Sequence, residues 1–319
     1  MSGFSSNNNQ HLIRANIWTQ QTKDVLLDEL IGMRYVNMLT DSFPDGDQLN
    51  IPSIGLAEVM DYAEGQAIRY TAMDTGNFVL NVTEYKASAV YITNKMKQDT
   101  FYMAQLVPQF APKQERAIMK AIESDVLAIG PSGQTPSNPN TINTGDHRFV
   151  CSGTQQTMSP IDFARAKFAL QKANMPMTNL VAIVDPSVEF SVSTLTNIAN
   201  VSNNPQWEGI VNSGMSSGMR FVKNIYGFDV YVSQNLVTGL AETIGTATVA
   251  NGVANLFFSA ANDVLPFVGV LRQPPMVDSG YNKDLQRDEY VTTARWGFKL
   301  FRPENIVVGL SNTVTALTV

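Results

Sequence analysis

Apolar residues return every three or four positions from Ile17 to Met38, through Val25, Leu26, Leu30, Met33 and Val36, and predict a helix there. The preceding residues 1–16 are rich in Ser and Asn and read as a polar arm. Thr40 to Asp47 then reads as a turn. From Ile51 to Ile92 the pattern changes to that of strands, with Ile51–Thr71 outgoing, Met73–Asn77 as a tip and Phe78–Ile92 returning. Phe78, Leu80, Val82, Glu84 and Lys86 share one side of the return strand; Val79, Asn81, Thr83 and Tyr85 share the other. Neither side is uniformly apolar. Such a hairpin packs poorly on its own core and suits lying across a neighbouring chain. The same pattern also fits two strands of an ordinary antiparallel sheet.

Residues 94–130 return to a helical pattern. Pro112 suits a first helical turn, Ala117, Ile118, Ala121, Ile122, Val126 and Ile129 form one apolar stripe, and Gly130-Pro131 marks the end. Residues 130–158 are rich in Gly, Pro, Ser, Thr and Asn and read as a long loop or domain boundary, with a short strand at His147–Cys151. Ser159-Pro160-Ile161-Asp162 opens a further helix that closes at Met175-Pro176. Leu180–Val184 is a buried type of strand, and Asp185-Pro186 starts a helix through Ala199. Ile225–Leu236, Asn255–Ala261, Pro266–Arg272, Asp288–Phe301 and Asn305–Leu310 are strand candidates. The fold class is α+β.

Composition narrows the function. Of 319 residues, 44% are hydrophobic, which is enough for one large or two modest cores, and only 16% are charged. A surface of amides and hydroxyls costs less to desolvate in subunit contacts than one of ions. The net charge is −6 and no run of Lys or Arg exists, which argues against tight nucleic-acid binding. One cysteine, Cys151, permits no internal disulfide and fits cytoplasmic synthesis. MSGFSSNNNQ lacks the order of a signal peptide, and no apolar run spans a membrane.

One string has a catalytic look. Gly214-Met215-Ser216-Ser217-Gly218 matches a hydrolase nucleophile elbow, which would make the chain a serine hydrolase. That elbow needs a buried strand before it, a helix after it, and a histidine later in the chain. The two histidines, His11 and His147, both precede Ser216, and strand-type residues follow it. Asp41, Asp45 and Asp47 are the best carboxylates for a cation, yet the full calcium-loop pattern is absent, and two histidines and one cysteine make no zinc set. Phosphate-loop and dinucleotide fingerprints are also absent, and Glu123 with Asp125 do not share a helix face. We expect no catalytic, metal or cofactor site. The fourteen methionines suit core and interface packing.

The order of three strings carries a resemblance. Val181-Ala182-Ile183-Val184-Asp185-Pro186 comes first, then Gly227-Phe228-Asp229-Val230-Tyr231-Val232-Ser233-Gln234-Asn235-Leu236. Trp296-Gly297-Phe298-Lys299-Leu300-Phe301-Arg302-Pro303-Glu304-Asn305-Ile306-Val307 closes the chain. Over residues 17–312 the chain resembles the major capsid proteins of tailed bacteriophages, with the Hong Kong 97-type fold. The resemblance implies an N-terminal arm and helix (1–50), an extended hairpin loop (51–92) and a peripheral domain with spine helix and linker loop (93–158). An axial domain (159–270) and a return to the peripheral domain (271–319) follow. It implies an icosahedral shell of hexamers and pentamers around double-stranded DNA, with scaffolding and portal proteins, a decoration protein in some members, only non-specific contact with DNA, and no membrane. The protein would be made in the host cytoplasm and reside in the virion. A bacterial nanocompartment shell, encapsulin-like, is the alternative of the same fold. The name-giving phage cross-links its shell through lysine; here the tip has none, and Lys86 is the only lysine from Ile51 to Ile92. Arg69, Asp74, Glu84 and Lys86 are the expected polar inter-subunit contacts along the hairpin.

Overall fold

The computed structural model describes residues 31–42, 46, 48–54, 64–65, 75–99, 103–193 and 221–312. Three sheets and one long helix organise them. A four-stranded sheet has the order β1 (Val36–Met38), β11 (Phe267–Asn282), β12 (Arg287–Leu300), β4 (Glu84–Thr93). A seven-stranded sheet runs β5 (Arg148–Val150), β13 (Val307–Asn312), β10 (Ala247–Ser259), β6 (Leu180–Val184), β8 (Phe228–Val232), β7 (Phe221–Ile225), with β9 (Leu240–Ile244) paired to β10. The third sheet is only β2 (Gln48–Ile54) with β3 (Thr75–Asn81). The helices are α1 (Asn94–Asp99), α2 (Met103–Ser132), α3 (Pro160–Lys172) and α4 (Pro186–Ser193).

Helix α2 is shared by the two large sheets. Its stripe of Ile118, Ile122, Val126, Leu127 and Ile129 is buried in one cluster with Ala294 and Trp296 of β12, Leu256 and Phe258 of β10, and Ile306 and Val308. Gly130 allows the close approach: a Cβ there would lie 2.8 Å from both Ile306 Cδ1 and Leu256 Cδ2. On the other face of the seven-stranded sheet, Phe163, Ala166 and Leu170 of α3 pack on Phe149, Ala182, Phe228 and Phe257. Phe163 and Phe228 meet Phe257 edge-on at 5.4 and 5.5 Å.

Two buried carboxylates fix helix starts and crossings. Asp162, fully buried, accepts from Ser159 N and Oγ (2.8 and 3.0 Å) and from Ser152 N (3.1 Å), so the start of α3 is capped from inside. Glu242 of β9 holds Arg148 of β5 in a two-pronged pair (2.6 and 2.9 Å), with Arg148 also donating to Pro131 O at 3.0 Å. The guanidinium beside Glu242 holds its carboxyl below the usual carboxylate range.

Several expectations need correction. Of the helix expected over 17–38, residues 17–30 lie outside the described residues. Residues 32–38 form a 3₁₀ turn and β1, because the amides of Ile31, Gly32 and Met33 bond to Glu123 instead of to helical carbonyls. Thr75–Asn77 is not a tip: these residues pair with Pro52–Ile54, and a turn at Glu64–Gly65, with Gly65 at φ 87°, lies between the arms. The return strand breaks at Val82-Thr83, where Val82 buries against Val268 and Val270, and β4 then leaves the hairpin to pair with β12. Gly297 permits that passage, since a Cβ there would sit 2.3 Å from Asn81 O. Helix α2 begins before Pro112, carries both Pro108 and Pro112 in its interior, and continues past Gly130-Pro131 to Ser132; its length is set by packing of the stripe on both sheets rather than by local propensity. Ile225–Leu236 is not one strand. Tyr226 (φ 51°) and Gly227 (φ 91°) make a two-residue hairpin turn between β7 and β8.

The short strand predicted within His147–Cys151, the strand Leu180–Val184 and the helix after Ser159 are all present. Because Ile122 is fully buried in the shared cluster, Ile122→Asp places an unpaired charge between two sheets. We expect that variant to accumulate as insoluble protein; recovery of a soluble chain with a native circular-dichroism melt would contradict this packing.

Candidate functional site

The chemistry suggested by short motifs does not converge. Ser216 with its flanking glycines, His11, Asp45 and Asp47 lie outside the described residues. Asp41 sits in a 3₁₀ turn, Thr40–Ser42. Among the described residues no group of three or more His, Cys, Asp or Glu side chains could hold a metal ion, and no helix is long and apolar enough to cross a membrane. Cys151 is buried, and burial pushes its thiol pKa up, away from the reactive thiolate.

His147 is a core residue. Its side chain is fully buried, and Nδ1 donates to Ile306 O at 2.9 Å. Burial lowers its pKa, against the pull of the Ile306 and Ala169 carbonyls and of Glu304 and Asp146. A histidine held neutral this way ties the 133–147 loop to β13.

The polar hairpin residues fall in two groups. Arg69 and Asp74 lie outside the described residues. Glu84 and Lys86 are two apart on β4, and the structure brings them together: Lys86 Nζ is 2.6 Å from Asp125 Oδ2 and 3.6 Å from Glu84 Oε2. Trp296 Nε1 donates to the same Asp125 oxygen at 3.0 Å, and Lys86 lies over the indole at 5.3 Å. Lys86 thus ties β4 to α2 within the chain while remaining 39% exposed. Asp125 was missed by sequence reasoning, because only the tertiary fold brings position 125 to position 86.

The surface itself is the more informative feature. On β4, Tyr85 and Tyr91 are 65% and 59% exposed, on the side turned away from Lys86 and Ile92. Met276 of β11 is 53% exposed and Ile161 of α3 is 66% exposed. The hairpin is anchored through Leu49, Phe78 and Leu80 against Val268, Val270 and Phe301, with Phe78 edge-on to Phe301 at 4.9 Å. Lys299 fastens it by donating to Val79 O at 2.9 Å. Among the described residues the two-stranded sheet has no third strand beyond that root.

This fold is similar to those of solved phage structures. A structure from Mycobacterium phage Che8 matches with a TM-score of 0.69 at 15% identity, covering 94% of this chain and 97% of that one. The capsid of Cyanophage P-SCSP1u matches at 0.66 and 15% identity (94% and 93% covered), and the Cyanophage Pam1 capsid at 0.63 and 14% (99% and 100%). The fold is the α+β Hong Kong 97 type. A sequence model of the phage capsid protein family matches residues 78–309, and the chain belongs to that family. No curated protein sequence matches it. It is therefore a structural protein of a bacteriophage capsid and not an enzyme.

His147 supplies a pH prediction. Its folded pKa lies below the ordinary 6.5. Its contribution is complete above pH 6.5 and is lost as pH falls below that value toward the depressed one. Thermal melts from pH 7.5 to 5 should show a falling Tm in the native chain and a flatter profile in His147→Gln. Identical profiles would remove His147 as the cause.

Proposed function

We propose that the protein is the major capsid protein of a tailed bacteriophage, assembling through hexamers and pentamers into an icosahedral head around double-stranded DNA. The observation that carries this reading is the hairpin β2–β3: rooted by a few apolar residues, it has half-polar faces and, among the described residues, no third strand beside it. Laid on a second copy, those faces gain contacts. A standard interface buries about 1,600 Å² in total, and each subunit in a closed shell makes several at once, so individually modest contacts sum to a durable particle.

In this reading residues 1–50 are arm, 51–92 the extended loop, 93–158 and 271–319 the peripheral domain with α2 as its spine, and 159–270 the axial domain. Arg69, Asp74, Glu84 and Lys86 make polar contacts between subunits; Glu84 and Lys86, at 43% and 39% exposure, keep free surface for this beside their internal pairing. A scaffolding protein and a portal protein are the expected partners, with decoration by a further protein in some shells and only non-specific contact with packaged DNA. Synthesis takes place in the host cytoplasm.

Replacing residues 56–73 by a short Gly-Ser linker tests the reading while sparing β2, β3 and the buried Leu80. We expect a soluble, folded subunit that forms no shells when co-expressed with the neighbouring phage genes. Normal particles in electron micrographs would overturn the role given to the hairpin. Mass spectrometry of native particles distinguishes the two shells of this fold: portal and tail proteins accompany a phage head, whereas a packaged enzyme would mark a nanocompartment.

A further inference from the structure

The outer edge of β11 changes character along its length. Among the described residues only β1 pairs with that edge, and it covers Phe267 to Gly269. Leu39 N donates to Gly269 O at 2.9 Å, and Thr40 Oγ1 accepts from Leu271 N at 3.3 Å. Two register shifts against β12 follow, between Leu271 and Gln273 and between Gln273 and Met276, and the second holds Pro274 and Pro275. A proline has no amide to donate, and a bulge bends the strand, so no partner strand can run along this stretch. From Met276 to Asn282 the strand is regular again, paired residue for residue with Thr293 to Arg287 of β12. At the far end Asn282 Oδ1 accepts the amides of Asp284 and Leu285, which closes the turn.

The stretch Met276-Val277-Asp278-Ser279-Gly280-Tyr281-Asn282 carries none of the devices that blunt an edge strand: it has no proline, no lysine and no bulge. Met276, Val277 and Tyr281 are 53%, 40% and 51% exposed, and Asp278, Ser279 and Gly280 are exposed beside them. We propose that this edge pairs with the same edge of a second copy, antiparallel about a two-fold axis at Ser279. The prolines at one end and the turn at the other leave a single register with full overlap, and a two-fold axis makes the contact self-complementary. In that register Val277 of each copy faces Tyr281 of the other, so a β-branched side chain meets an aromatic one twice. Asn94 Nδ2 already holds the Tyr281 hydroxyl at 2.8 Å, which sets the ring before pairing. Gly280 faces Asp278, so the two carboxylates stand diagonal to one another in water rather than opposite. Two four-stranded sheets become one of eight strands, with α2 of both copies on the same side, the side of Thr292 and Gln114. An edge this short buries well under the about 1,600 Å² of a standard interface, so the pairing is reversible. It depends neither on the hairpin β2–β3 nor on a closed shell.

Cysteines placed on the edge read the register, since the one native cysteine, Cys151, is buried. In the full chain, mild oxidation of Ser279→Cys should give a disulfide-linked dimer on a non-reducing gel, because position 279 meets itself. Val277→Cys alone should give none, since the two copies of that position lie about 13 Å apart along the paired strands. Val277→Cys combined with Tyr281→Cys should link again. Dimers as abundant from Val277→Cys as from Ser279→Cys would mean random collision or another register. No dimer from Ser279→Cys or from the double variant would give the edge to a different occupant, such as the hairpin of a neighbouring copy or another protein. Both results overturn the proposal. Sedimentation of the unlinked full chain is the second arm. It should show a concentration-dependent dimer that Val277→Asp weakens about tenfold, the scale of two lost cross-strand pairs. Leu285→Asp, at the exposed tip outside the paired residues, should leave the dimer unchanged. A native chain that stays monomeric, an unchanged dimer in Val277→Asp, or equal weakening by both variants would overturn the proposal.

Discussion

Everything in this subunit depends on one helix serving two sheets. The stripe from Ile118 to Ile129 touches the four-stranded sheet through Ala294 and Trp296 and the seven-stranded sheet through Leu256, Phe258, Ile306 and Val308. Each of the buried Ile, Val, Leu and Phe side chains among these contributes on the order of 1.5–3 kcal/mol, and the same helix residues serve both sheets. Gly130 matters for the same reason: only there can the helix backbone approach Leu256 and Ile306 so closely. With a shared core, the sheets cannot move apart without exposing both.

The polar groups inside that frame act as fasteners. Asp125 joins Lys86 of β4 and the indole of Trp296 to α2; Glu123 fastens the incoming chain to the same helix two residues earlier. Burial raises the pKa of Glu123, and the amides of Gly32, Ile31 and Met33 oppose that shift by holding the charged form. Tyr35, just beyond the fastened segment, stacks edge-on to Phe258 at 5.1 Å and lies 6.5 Å from Tyr231, which carries the same strap onto the seven-stranded sheet. Chemistry of this kind positions elements; it offers no reacting group to a substrate.

Much of the architecture was legible because local rules agreed with it. The apolar stripe of α2 has helical spacing, and Ser159-Pro160-Ile161-Asp162 and Asp185-Pro186 announce their helices by cap and proline. Misreadings arose where tertiary partners overrode local preference. Residues 32–38 have helical periodicity, but the amides of Gly32 and Met33 go to Glu123, far along the chain. Tyr226 adopts a left-handed conformation that no tyrosine signals in advance, and so a hairpin was read as one strand. Val82 breaks the return strand because the sheet beside it, not its own neighbours, supplies an apolar bed. Of the contact residues, the pairing of Glu84 with Lys86 follows from strand periodicity, whereas Asp125 could come only from the fold.

The central claim is that the subunit is one mechanical body built on α2, and native-state hydrogen exchange tests it most directly. Amides from Ile118 to Ile129 should exchange only through global unfolding, at the same free energy as those of β10 and β12. Exchange of α2 well before either sheet, or of one sheet well before the other, would mean that the helix does not unite them, and the account would fail.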